Sequence, residues 1–177
     1  MDTNELKRRI KTLSPEGILE IQAFGRGGML ALWVESTSLL SLGEALKKDA
    51  GLRFDWLENL SAMEINRSLV LSYFLRSSAT GDSVILRVSV VPPSAEAEVK
   101  APSCTSIWPM ASSFEHEISD LYGVRFSGNE LKGRFLMPEG WVGFPLRKAY
   151  VFPTEFLNIP HIRPAGHTGP DEFGVDG

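Results

Sequence analysis

The side chains in this chain that invite a chemical reading first are three carboxylates close together, Glu115, Glu117 and Asp120. Paired carboxylates serve as a general acid and base, or as oxygen ligands for a hard cation. On a helix, however, Glu115 and Glu117 diverge by about 200°, and only Glu117 and Asp120 are neighbours at i, i+3. Three carboxylates converging on one ion is therefore not what this spacing offers. It suits them better to accept hydrogen bonds from backbone N–H groups or from Arg134 and Arg147, locking a helix to the segment that follows, or to meet basic groups of a partner.

The remaining reactive residues are thinly spread. His161, His167, Asp171 and Glu172 fall in a Gly/Pro-rich stretch, and the spacing of the two histidines matches no common zinc pattern. His116 is expected on the polar face of the helix, solvated or paired with Asp120. The single cysteine, Cys104, has no His or basic neighbour in sequence to activate it, and alone it holds neither an iron–sulfur cluster nor a structural zinc. The run Gly25-Arg26-Gly27-Gly28 lacks the Gly-Lys-Ser/Thr of a phosphate loop and leads into MLALWV, so it reads as a hairpin turn. No Ser-His-Asp or Cys-His constellation is visible.

The carboxylates need a helix to carry them. Phe114, Ile118, Leu121 and Tyr122 form one apolar stripe at helical spacing, with His116 and Asp120 pointing the other way and Glu115 and Glu117 bordering the stripe. Ser112 to Glu115 fits a capping box, and Gly123 is the natural stop. Upstream, Leu6, Ile10 and Leu13 predict a first helix, with Asp2 and Glu5 available for its cap. Ile18 to Phe24 and Met29 to Val34 predict two strands, and Leu39, Leu42 and Leu46 a second helix closed by Asp49-Ala50-Gly51. Alternation at Leu52, Phe54 and Trp56, at Leu69 to Leu75, and at Val84 to Val90 predicts three more strands, with turns at Asn66-Arg67 and at Ala79 to Asp82. Strands on short turns imply an α+β fold: a mixed or antiparallel sheet with helices packed on one face. Pro92 to Ser103 reads as a loop, and Val124-Arg125-Phe126 as one short strand edge before the turn at Ser127-Gly128-Asn129.

The stretch from Trp108 to Tyr150 resembles the 30 kDa subunit of the respiratory complex I family. That family shows W-P-x-A, then E-R-E-x-x-D followed by two hydrophobics and Gly, then a basic pair before L-M-P, then G-x-P-L-R-K-D-Y. Here the corresponding residues are Trp108-Pro109 and Ala111, Glu115, Glu117, Asp120 and Gly123, Arg134 with Leu136-Met137-Pro138, Trp141, and Gly143 with Pro145-Leu146-Arg147-Lys148 and Tyr150. Departures fall at His116, Asn129-Glu130, Gly133, Ala149 and Val151, and they leave open a branch nearer membrane-bound energy-converting hydrogenases. The resemblance implies a non-catalytic structural subunit of a peripheral arm, supporting electron transfer from NADH or another donor to quinone, coupled to ion translocation. It implies no cofactor on this chain, with iron–sulfur clusters, and in the hydrogenase branch nickel–iron, on its partners. Those partners would be the large quinone-site or hydrogenase-like subunit and the small iron–sulfur subunit, with the membrane arm reached only indirectly. Trp108, Glu115, Glu117, Asp120, Arg134, Trp141, Arg147, Lys148 and Tyr150 are the expected interface residues, or the ones that build the fold presenting it.

Composition agrees. The chain has 177 residues, 43% hydrophobic and 23% charged, enough for one core. A net charge of −4 disfavours nucleic acid as a partner. There is no long apolar run and no h-region near Met1, so the expectation is a chain held at the cytoplasmic face of the cell membrane only through partner subunits. Residues 1–150 are expected to form the domain. Residues 151–177, rich in Pro and Gly with Phe152, Phe156, Leu157, Ile159, Ile162 and Phe173 at intervals, are expected to be an extended tail that docks on the large subunit. Two readings from other classes stand beside this one: a carboxylate-dependent metalloenzyme, and a cytosolic adaptor with a binding tail.

Overall fold

Alternating apolar residues bury one face of a central sheet. A computed structural model describes residues 2–13, 17–24 and 29–160. The strands β1 (Ile18–Phe24), β2 (Met29–Val34), β3 (Trp56–Ile65), β4 (Ser68–Arg76) and β5 (Ser83–Val90) form one sheet in the order β1-β2-β5-β4-β3. All pairs are antiparallel except β2 with β5, so the sheet is mixed. Leu30, Leu32 and Val34 of β2 share a core with Leu69, Leu71, Tyr73 and Leu75 of β4 and with Val84, Leu86, Val88 and Val90 of β5. These core-facing residues recur at every second position, while Ala31, Val70 and Ile85 between them are buried on the other face of the sheet. The same core takes Leu6 and Ile10 from α1 (Thr3–Leu13), Leu39, Leu42 and Leu46 from α2 (Leu39–Lys48), and Ile118 from α3 (Ala111–Tyr122). Truncating a fully buried leucine here, such as Leu71, would cost about 2–5 kcal/mol.

The turns follow from local chemistry. Asn66 and Arg67 both have positive φ, the two-residue turn whose twist matches a tight hairpin, and it sets the register Ile65↔Ser68. Predicted and observed strands part at Leu52 and Phe54. Both are buried, yet Leu52 lies in a turn, where Asp49 Oδ1 accepts from the amides of Gly51 and Leu52, and the Phe54 amide donates to Leu46 O at 3.1 Å, so neither residue joins a ladder. The strand begins only at Trp56.

A second correction concerns the loop read at Pro92 to Ser103. Its end is a strand, β6 (Val99–Pro102), which pairs in parallel with β7 (Val124–Ser127) in a small sheet of its own. Parallel neighbours need a crossover, and α3 is that crossover. The first turn of α3 also differs from the reading. The Ser112–Glu115 box is not made: the helix starts at Ala111, whose amide donates to Trp108 O at 2.9 Å, and Met110 at the cap position makes no side-chain cap bond. Gly123 does end the helix, at φ +68. Further on, β8 (Glu155–Phe156) and β9 (Ile159–Pro160) form a short hairpin in the stretch read as tail. The Gly25–Gly28 turn and His161, His167, Asp171, Glu172, Ile162 and Phe173 lie outside the described residues.

Candidate functional site

The middle of α3 is tied inward through Glu115. Glu115 is fully buried, not bordering the apolar stripe, and its carboxylate accepts from Ser103 Oγ (2.7 Å), the Cys104 amide (2.7 Å) and Asn129 Nδ2 (3.1 Å). Those donors come from the connection before the helix and from the turn after β7, so one side chain gathers three segments. Burial pushes its pKa up, and the Cys104, Ser103 and Asn129 bonds oppose that rise only in part. Cys104 is buried beside it, its thiol pushed up to about 12 by burial and by the Glu115 charge, which makes it a passive thiol.

Asp120 forms a second tie. Sequence periodicity places it on the polar face with His116, but it is only 3% exposed. The chain returns over that face, and Asp120 Oδ2 accepts from the amides of Phe135 (3.1 Å), Leu136 (2.7 Å) and Met137 (2.8 Å), while Oδ1 takes Arg134 Nη1 at 2.9 Å. Burial alone would raise its pKa; the Met137 amide, the Arg134 guanidinium and the other two amides outweigh that and hold it below the usual aspartate value. Arg134 spreads its fork further, to the carbonyls of Asp120, Trp141 and Gly143. His116 does not pair with Asp120: it meets the Gly133 carbonyl at 3.1 Å and stacks near Phe135.

Arg147 forms the third. It donates from Nε to Tyr122 O (2.5 Å) and from Nη2 to Ala97 O (3.1 Å), capping the C-terminal end of α3, where a cation suits the helix dipole. Its partners are carbonyls and not the α3 carboxylates. Burial lowers its pKa and Glu64 opposes the shift. Glu64 Oε2 in turn accepts the Lys148 amide at 2.9 Å, so the end of β3 holds the same loop.

Trp108 anchors the approach to α3. It is 1% exposed, donates from Nε1 to Phe54 O at 3.0 Å, and its ring lies so close to Gly43 that a Cβ there would stand 2.9 Å from it. Trp141 is packed by Phe152 and Phe156, at ring separations of 5.6 and 4.9 Å, so the first part of the tail folds onto the domain. Tyr150 is half-buried against Gly143. Glu117 and Lys148 are exposed. Thus Glu115, Asp120, Arg134, Arg147 and Trp141 come together around α3 and the segment after it, Trp108 lies at the far end, and Glu117 stands apart. Sequence reasoning missed Ser103, Asn129, Glu64 and Phe144. Asn129 was legible only as a turn residue, and the others carried no local signal. Among the described residues, no three His, Cys, Asp or Glu side chains group to hold a metal.

Residues 32–155 match the family described as "Respiratory-chain NADH dehydrogenase, 30 Kd subunit". The chain belongs to that family. The NADH-quinone oxidoreductase C subunit of Roseiflexus sp. (strain RS-1) is 32% identical over 151 residues, covering 84% of this chain and 83% of its own. A longer relative, the NADH-quinone oxidoreductase C/D subunit of Buchnera aphidicola subsp. Cinara cedri (strain Cc), is 30% identical over 129 residues, 67% of this chain but 22% of its own. Among solved structures, a chain of the membrane-bound sulfane sulfur reductase, an archaeal respiratory membrane complex, matches with a TM-score of 0.61 at 21% identity, covering 72% of this chain and 71% of its own. A trypsin-resistant fragment of Nqo5 matches with a TM-score of 0.57 at 19% identity, covering 72% and 98%. These two likenesses show that the 30 kDa subunit fold is shared.

Proposed function

We propose that this chain is a structural subunit of the peripheral arm of a complex I-type membrane oxidoreductase, supporting electron transfer from NADH or another donor to quinone, coupled to ion translocation. One observation carries the reading. The exposed large apolar side chains concentrate between residues 131 and 159: Leu131, Phe135, Leu136, Val142 and Leu146 lie on the stretch that Asp120, Arg134 and Arg147 hold in place, and Val151, Phe152, Leu157 and Ile159 follow directly after it. A segment tied down by buried side chains while its apolar side chains face outward is suited to contact with another protein. The buried carboxylates are engaged in positioning it and are not turned toward solvent.

The large quinone-site subunit is the partner favoured, because the relatives whose names join C and D carry this domain within a single, longer chain. Iron–sulfur clusters would reside on that subunit's neighbours, the small iron–sulfur subunit first. No described helix is long and apolar enough to cross a membrane, so attachment to the cytoplasmic face would come through partners.

The test is affinity purification of the tagged chain from detergent-solubilised native membranes, with co-purifying proteins identified and iron and nickel measured. Recovery with iron–sulfur and membrane subunits and quinone reduction is the expected result. Nickel with hydrogen evolution would move the chain to a membrane-bound [NiFe] hydrogenase, and recovery alone from the soluble fraction would overturn the assembly reading.

A further inference from the structure

Arg147 has more donors than its own chain uses. It is 5% exposed, its Nε and Nη2 go to carbonyls, and Nη1 has no partner among the described residues. No carboxylate hydrogen-bonds it; Glu64, the acid that acts on it, gives Oε2 to the Lys148 amide. Among the described residues, the guanidinium meets besides those carbonyls only the Phe144 ring, 5.9 Å from its Cζ, and the field of Glu64, so Nη1 is left to take an acceptor from outside the chain.

Arg147 lines a groove of about 530 Å³, whose walls are Val142, Gly143, Phe144, Tyr150, Val151 and Pro153. That volume is in the range of sites that enclose a small ligand or a few residues of extended chain. Its walls are mostly apolar, and the buried Tyr150 hydroxyl has no hydrogen-bond partner among the described residues. The rim narrows the choice of occupant further. Glu98 is held by Arg125, while Glu96 is exposed and repels a second anion, so one carboxylate between apolar side chains fits and a run of acids does not.

We propose that the groove receives an extended segment of the large subunit, with a single Asp or Glu carboxylate on Arg147 and apolar flanks against Phe144, Tyr150 and Val151. The inference rests on the assembly reading and adds where the partner binds and by what chemistry. The carboxylate completes the Arg147 fork, and the apolar flanks exclude water from the pair.

Ala149 lines the same groove and is exposed, so Ala149→Trp fills the groove without entering the core. The full chain is co-expressed with the large subunit of its own organism, with p-benzoylphenylalanine at position 149 in a parallel sample. The expected results are capture of the large subunit reduced about tenfold or more by Ala149→Trp, an unchanged urea midpoint for the variant chain alone, and a cross-link to a large-subunit segment with one acid among apolar residues. Neutralising that acid should weaken capture to a similar degree. Equal capture by Ala149→Trp, or a cross-link to this chain's own residues 161–177, would overturn the groove while leaving the assembly reading intact. If the unaltered chain captures no large subunit, the assembly reading fails and the groove falls with it.

Discussion

Asp120 and Glu115 sit on one helix, and their environments drive their pKa values apart. Asp120 lies below its ordinary value, so it contributes stability above the usual aspartate range and loses it as pH falls through the depressed value. Asp120→Asn removes the charge facing Arg134 and gives the amides of residues 135–137 a weaker acceptor; a loss of about 2–4 kcal/mol at neutral pH is expected from the urea midpoint. Glu115 behaves oppositely. Its folded pKa lies above 4.5, so as pH rises past 4.5 the unfolded chain ionises first, and stability falls until the raised value is passed. The Glu115→Gln variant lacks this titration. The stability margin of the natural chain over the variant should therefore shrink as pH rises from 4.5, measured by urea unfolding across the acidic range. A margin that widens with pH would contradict the burial of an ionisable Glu115.

At the level of elements, Gly123 shows how a legible signal can hide a second role. Its place after the apolar stripe of α3 marks it as a helix stop, and φ +68 agrees. Its approach to the Phe144 ring, which a Cβ would meet at 2.5 Å, was not legible, because Phe144 arrives from a loop without periodicity. Gly123→Ala therefore meets both a left-handed backbone and a ring, and a loss of about 2–3 kcal/mol in thermal or urea unfolding is expected. If the variant costs no more than the backbone penalty of about 1 kcal/mol, the ring is free to move. The same contrast runs through the fold. Leu69 to Leu75 and Val84 to Val90 alternate because one face of the sheet is covered, so β4 and β5 could be read directly. Val99–Pro102 is too short to alternate visibly, and its pairing with β7 depends on α3 standing between them. Asp120 was placed on the solvent face for a related reason: helical periodicity does not register a chain that comes back over the helix to cover it.

For the whole molecule, the question is which substitutions separate folding from assembly. Reversing charge at Arg147 does not. A carboxylate there would face the carbonyls of Tyr122 and Ala97 in a buried site, and the expected cost of about 3–5 kcal/mol would damage the chain before any partner is met. The hairpin of β8 and β9 offers a cleaner separation. Phe156 turns toward Trp141, but Leu157 is 73% exposed and Ile159 63% exposed, so neither owes its conformation to the core. Replacing both with Ser should leave the urea midpoint of the chain alone within about 0.5 kcal/mol, as surface substitutions generally do. If the outward apolar side chains are contact points, the same double variant should be recovered from native membranes with substantially less of the iron–sulfur and membrane subunits, measured by quantitative mass spectrometry of the purified complex. Unchanged recovery would confine the contact surface to residues 131–152 and exclude the hairpin from it, while a fall in the midpoint would mean that the hairpin belongs to the fold.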